Sequence, residues 1–292
     1  MQSNFRHVAE DLRRQIEDSL FSVGLLARVF ARGKDPESLS EKLRRQPTKY
    51  SVGGKLIQDT VGIRVALYFS EDIPLVKSIL ESKYLLDLSS STIDTPDRDQ
   101  FSVTRYNLVF RIPDDFIKNF QRDAAGEPLD TCFEVQLRSI LSEGWHEVEH
   151  DLRYKAQESW HEHDDLSRAL NGVVATLETS EWSMGRIFDE LAYRHYKRKN
   201  WSAMLPNLIK VRMRGHVSEG LSRVLNSDAA AAKDLVRVDR SKLIRSMFAA
   251  RPRVPVTMDN LIYFWNAIGP QHASLAALTP ALISESASSI LS

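Results

Sequence analysis

Four short stretches of this 292-residue chain gather side chains suited to handling phosphate, metal ions or protons. The first is Arg32-x-Lys34-x-x-x-Ser38-x-x-x-Lys42. Lys34, Ser38 and Lys42 follow one another at i, i+4 spacing, so on a helix they would line one face at its N-terminal end, which suits a triphosphate. The second is Asp59-Thr60-Val61-Gly62-Ile63-Arg64, an acid at the entrance to an apolar run, with Gly62 allowing close backbone approach. Acids at strand ends ligate metals, and they also serve as plain turn residues. In the third, Phe133-Glu134-Val135-Gln136-Leu137-Arg138, a period of two sends Glu134, Gln136 and Arg138 to one face and the apolar residues to the core. An edge strand with a polar outer face gives the same alternation. The fourth runs from Trp145 to Lys155 and is dense in titratable groups on a helix whose stripe is Trp145, Val148 and Leu152.

The elements that must carry these residues are a mixture of helices and strands. Phe5, Val8, Leu12, Ile16, Leu20, Val23, Leu26 and Val29 predict one amphipathic helix over residues 4–30. A break at Gly33 and Pro36 precedes a short helix around Ser38–Leu43, with Asp35 or Ser38 available as its cap. Gly62–Phe69 reads as a buried strand, with a helix from Asp72 to Leu80 after it and strands at Tyr106–Ile112 and Thr131–Leu137. A loop containing Asp114, Asp115, Gly126 and Pro128 joins the last two. From Ser139 to about Lys199 the pattern is helical. The expected class is α+β, a mixed sheet flanked by helices, followed by a helical C-terminal region. Pro206 marks a boundary between residues 1–200 and 201–292. Beyond it, short helices at 221–225, 243–248 and 260–268 are separated by joints at 228–232 and 251–255, and the tail from Ser284 is small and polar.

Taken together and in this order, the four stretches resemble the synthetase domain of the RelA/SpoT family, which makes the alarmones (p)ppGpp. The matching text is Arg32-x-Lys34-x-x-x-Ser38-x-x-x-Lys42, Asp59-x-x-Gly62-x-Arg64, Glu134-x-Gln136-x-Arg138 and Trp145-x-x-x-Glu149-His150-x-x-x-Tyr154-Lys155, spread over residues 20–160. The resemblance implies a nucleotidyltransferase-like domain in which Arg32 and Arg64 sandwich the adenine of ATP while Lys34, Ser38 and Lys42 hold its phosphates. It also implies that Asp59 and Glu134 share one Mg²⁺, that Glu134 acts on the acceptor's 3′-hydroxyl, and that the β,γ-diphosphate moves while AMP leaves. Two converging carboxylates repel each other unless a metal or a proton intervenes, which argues for a working site over an inactive nucleotide-sensing or protein-binding module.

The acceptor side departs from the family pattern. Gly-Tyr-x-Ser-x-His is replaced by text in which Val103, Arg105 and Asn107 take the tyrosine, serine and histidine places, with Phe101 as the alternative stacking ring. Glu143 stands where the family often carries an Asn. The acceptor set expected here is therefore Phe101, Arg105, Asn107, Gln136, Glu149, His150 and Lys155. Guanosine nucleotides are the default acceptor, and an adenosine nucleotide or the 3′ end of tRNA, as in toxic members of the family, is the alternative.

Bulk properties set the remaining bounds. Net charge is zero, but residues 194–253 carry fifteen Lys and Arg against four acids, a surplus of +11. Such a block suits RNA or the acidic face of a partner protein. Solvated helix faces are the plainer reading. A single cysteine, Cys132, excludes an internal disulfide, and no apolar run has the length of a signal peptide's core or a membrane span. A cytoplasmic protein without a membrane role is expected. His161 and His163 stand two apart and would diverge on a helix, so no metal is assigned to them. Oligomeric state is left open.

Overall fold

A computed structural model describes residues 5–45, 48–51, 54–94, 106–123 and 127–291. The elements in order are α1 (Phe5–Ser22), β1 (Ala27–Gly33), α2 (Pro36–Arg45), β2 (Val61–Leu67), α3 (Ile73–Glu81), β3 (Leu86–Ile93), β4 (Tyr106–Arg111), α4 (Asp114–Asp123), β5 (Cys132–Ser139) and α5 (Ile140–Glu149). A five-residue π turn, His150–Tyr154, follows, then α6 (Gln157–Trp160) and the long α7 (Asp164–Lys197). Seven helices complete the chain: α8 (Trp201–Ile209), α9 (Glu219–Ser227), α10 (Ala229–Val236), α11 (Arg240–Ala250), α12 (Met258–Ile268), α13 (Ala273–Ala276) and α14 (Ala281–Ser288). Two compact units result, one made of residues 1–17 with 27–181 and the other of 18–26 with 182–292.

The first unit is built on a mixed sheet of order β1-β2-β5-β4-β3, in which only β2 and β5 run parallel. Its register sorts residues by face. Val29 pairs with Val65, Val65 with Leu137, Ile63 with Val135, and Leu108 with Val135; these apolar side chains are buried on one side. Phe110 and Phe133 stack at 5.6 Å behind the sheet, with Tyr84 edge-on to Phe133 at 5.3 Å. Burial pushes the Tyr84 hydroxyl up to about 12. On α1, Phe5, Val8, Leu12 and Ile16 are buried, as the 3.6-residue period requires, and Phe5 lies 5.2 Å from the Phe120 ring of α4.

Several local expectations are overturned. The first helix does not reach residue 30: it ends at Ser22, where Gly24 adopts φ 77°, and residues 27–33 form the edge strand β1. A Cβ at Gly24 would meet the Arg212 carbonyl oxygen at 2.5 Å, so this turn needs glycine on two counts. Asp114 and Asp115 open α4 rather than lying in a loop, because acids favour a helix's first turn and Phe120 finds a buried place. β3 had no sequence signal. Asp35 caps α2, accepting from the Ser38 backbone N–H at 2.8 Å.

In the second unit Pro206 lies inside α8. The Ala-rich stretch 229–232 begins α10 instead of forming a joint, since Asp228 caps it through the Ala231 N–H, and most of the tail from Ser284 continues α14. Asn200, Ser218, Asp239 and Thr257 cap α8, α9, α11 and α12 in the same way. Apolar residues of α12 (Leu261, Ile262, Phe264, Trp265) form its core with Leu243, Ile244 and Met247 of α11 and Ile283 of α14. Part of the basic block is structural: Lys210 is buried and paired with Asp189 at 2.8 Å, and Arg240 donates to the carbonyls of Ile209 and Lys210. Among the described residues, no helix is long and apolar enough to cross a membrane.

Candidate active site

The face of the sheet opposite the core carries the polar residues in two rows. Arg32 of β1, Gly62 of β2, Glu134 of β5 and Val109 of β4 are register partners across four strands. The next row is Phe30, Arg64, Gln136 and Asn107. Paired residues point to the same side of a sheet, so Arg32, Arg64, Glu134 and Gln136 converge without any help from loops. Above them opens a cavity of about 640 Å³, lined by these residues together with Phe30, Ala31, Lys34, Asp59, Gly62, Ile63, Glu143 and Glu147. That volume lies in the range of ligand pockets, roughly 300–1,000 Å³.

At one end Asp59 accepts hydrogen bonds from the ammonium groups of Lys34 and Lys42, each at 2.8 Å. Lys34 follows β1, where its backbone N–H donates to the Thr60 carbonyl, and Lys42 comes from α2. Burial pushes the Asp59 carboxyl up, but the two lysines outweigh it and hold the group below the ordinary carboxylate range. Burial likewise lowers Lys42, and the hydrogen bond and charge of Asp59 reverse this to a net rise. Two corrections follow. Lys34, Ser38 and Lys42 do not share a helical face, since Lys34 precedes α2 and the Ser38 hydroxyl is turned to Asp35 at 2.9 Å. The lysines also supply the charge that Asp59 needs, so the pairing of Asp59 with Glu134 does not by itself demand a metal.

At the other end α5 brings two acids over β2. Arg64 donates to Glu143 at 2.6 Å and also to Glu147, while Arg138 donates to the other oxygen of Glu143 at 3.2 Å. Burial holds the Arg138 guanidinium below its ordinary value despite the opposing charge of Glu143. Ser139 fixes the start of α5 by accepting from the Ser142 N–H at 3.0 Å, which sets the height of both acids above the sheet. Glu134 accepts from the Gln136 amide at 3.2 Å.

Residues 31–159 match the family model described as the region found in RelA / SpoT proteins. This segment carries the RelA/SpoT region. Similar solved structures include a GTP pyrophosphokinase family protein from Streptococcus pneumoniae, at 21% identity over 64% of this chain and 90% of that one, TM-score 0.49. Another is small alarmone synthetase 1 from Bacillus subtilis bound to its product pppGpp, at 20% identity over 64% and 94%, TM-score 0.48. No curated protein matches.

Within the RelA/SpoT segment the cavity unites Arg32, Lys34, Asp59, Arg64, Glu134 and Gln136, with Lys42 behind Asp59. Asn107 stands in register with Gln136 but is not among the cavity's lining residues. Phe101 and Arg105 lie outside the described residues. Glu149, His150 and Lys155 do not line the cavity either. Glu149 pairs with Arg153 at 3.2 Å, His150 stacks on Tyr154 at 5.7 Å, and Lys155 pairs with Asp151 at 2.7 Å in and around the π turn. Phe30, Glu143 and Glu147 are cavity residues that sequence reasoning did not assign. The alternation Phe30-x-Arg32 held the signal for Phe30, and the i, i+4 pair Glu143 and Glu147 held the signal for the acids.

The donor set can be tested against a divalent cation. Among the described residues no group of three or more His, Cys, Asp or Glu is placed to hold a metal. Asp59 and Glu134 in one cavity with two lysines fit Mg²⁺, which binds through one or two carboxylates and substrate phosphates rather than in an all-protein cage.

Proposed function

We propose that this site transfers the β,γ-diphosphate of ATP to the 3′-hydroxyl of a nucleotide, with GDP or GTP as acceptor giving (p)ppGpp. The match of residues 31–159 to the RelA/SpoT region supports a pyrophosphokinase of the (p)ppGpp type. The observation that carries the reading is the convergence of Arg32, Lys34, Asp59, Arg64 and Glu134 on one cavity of that segment. In this reading residues 1–200 hold the transfer chemistry and 201–292 have a separate role.

Arg32 and Arg64 hold the adenine, and Lys34, Ser38 and Lys42 hold the phosphates. Asp59 and Glu134 would hold Mg²⁺, which when bound neutralises phosphate charge and aligns the chain. Phosphoryl-type transfer asks the protein for positioning, charge compensation and a proton acceptor. Glu134 takes the proton of the acceptor's 3′-hydroxyl as that oxygen bonds to the β-phosphorus; the bond from that phosphorus to the oxygen bridging the α-phosphate breaks, and AMP leaves with the electron pair. On the acceptor, Phe101, Arg105, Asn107, Gln136, Glu149, His150 and Lys155 remain the proposed contacts.

A tRNA acceptor is the second reading, and the charge surplus of residues 194–253 favours it. Incubation with ATP labelled at the γ-phosphate and GDP, GTP, ADP, ATP or bulk tRNA separates the readings by where label appears. Label on a guanosine nucleotide supports the first and label on tRNA the second. Label on no acceptor refutes both.

A further inference from the structure

We infer that Phe30 adds an aromatic wall to the slot that Arg32 and Arg64 form for the base of the bound nucleoside triphosphate. The inference rests on the proposed reading of the cavity and adds a residue that the family's sequence blocks do not include. Phe30 is 53% exposed, although its neighbours along the sheet are polar or charged and its own strand buries Val29 on the opposite face. It lines the cavity rather than the outer surface alone.

Register places it. Phe30 and Arg64 are direct partners across β1 and β2, and Arg32 lies two residues along on the same face. Opposite residues on such a pair carry their Cβ atoms about 4.5–5.5 Å apart. One aromatic ring and two guanidiniums therefore surround a single patch of the cavity floor, all of them planar groups that accept a flat heteroaromatic ring. The Arg64 guanidinium is held in place by Glu143 and Glu147, so this wall of the slot is fixed before a ligand arrives. Lys34 and Asp59 line the same cavity and mark where the phosphates go. An aromatic wall suits any flat base, so Phe30 adds affinity without choosing among bases. Selection for adenine then falls to groups at the base's edge.

Binding of α,β-methylene-ATP with Mg²⁺ to the full chain tests this by calorimetry on wild type, Phe30→Ala and Phe30→Trp. The alanine variant should bind at least about fivefold more weakly. The tryptophan variant should bind within about twofold of wild type, and its emission, taken as the difference from wild type, should be quenched on binding. Because the ring is half exposed, both variants should unfold at the wild-type denaturant concentration, which checks the fold. Wild-type affinity in Phe30→Ala, or unchanged Phe30→Trp emission while the analogue binds, overturns the role of Phe30 and leaves the ATP reading standing. Failure of the wild type itself to bind overturns both.

Discussion

Removing the Glu143 carboxylate should expose how this site is held together. Its two oxygens serve Arg64 at 2.6 Å and Arg138 at 3.2 Å, and the Glu143 and Arg138 side chains are only 11% and 13% exposed. Breaking a buried pair from one side costs about 3–5 kcal/mol, mostly because the partner charge is left uncompensated. Arg64 keeps Glu147 and is a third exposed, so its share falls to the surface range of about 0–1 kcal/mol. For Arg138 the charge of Glu147 is a weaker substitute, since burial works against its own charge. Glu143→Ala should therefore destabilise the protein by about 2–4 kcal/mol, and Glu143→Gln, which keeps one acceptor oxygen, by about 1–2 kcal/mol. Urea denaturation followed by circular dichroism measures both. The double variant Arg138→Leu/Glu143→Ala should recover part of the loss, with a coupling energy of about 1–3 kcal/mol. A loss under about 0.5 kcal/mol in Glu143→Ala, or strict additivity in the double variant, refutes the reasoning.

Further outcomes follow from other groups. Cys132 is buried, and burial with the nearby Asp130 charge pushes its thiol up to about 12, so a thiol-specific disulfide reagent at pH 8 should label it only after urea is added. Asp59 lies below the ordinary carboxylate range, so the stability it gains from Lys34 and Lys42 is fully present above about pH 4 and lost as pH falls through its lowered folded value. Asp59→Asn should accordingly flatten the acid limb of a plot of unfolding midpoint against pH, and a limb as steep as wild type would count against those contacts. Asp239→Ala removes the cap of α11 and should cost about 1 kcal/mol in urea denaturation, whereas Asp239→Asn should be near neutral.

The sheet face was legible because its residues act through a period of two. Glu134, Gln136 and Arg138 announced a polar face against Phe133, Val135 and Leu137, and the structure keeps that division. β1 was hidden because the 3.6-residue stripe of α1 continues formally through Leu26 and Val29, and only Gly24 breaks it. With β1 concealed, Phe30 could not be placed beside Arg64. β3 was illegible for a different reason: Leu86–Ile93 holds three consecutive serines at an exposed sheet edge and pairs irregularly with β4 between Asp87 and Thr92. Glu147 looked like a member of a charged helix and Glu143 like the replacement of a family Asn, and the role of both depends on where Ser139 starts α5. Pair contacts such as Lys42 to Asp59 join segments 17 residues apart and leave no local trace in sequence.

The central claim is that Glu134 serves the transfer of a diphosphate from ATP. Glu134→Gln keeps the size of the side chain and an oxygen that can accept from Gln136, so the fold and ATP binding should persist. In the labelled-ATP assay with the acceptor that the wild type uses, Glu134→Gln should show no transfer above background while still binding α,β-methylene-ATP. Transfer at the wild-type rate would contradict the account.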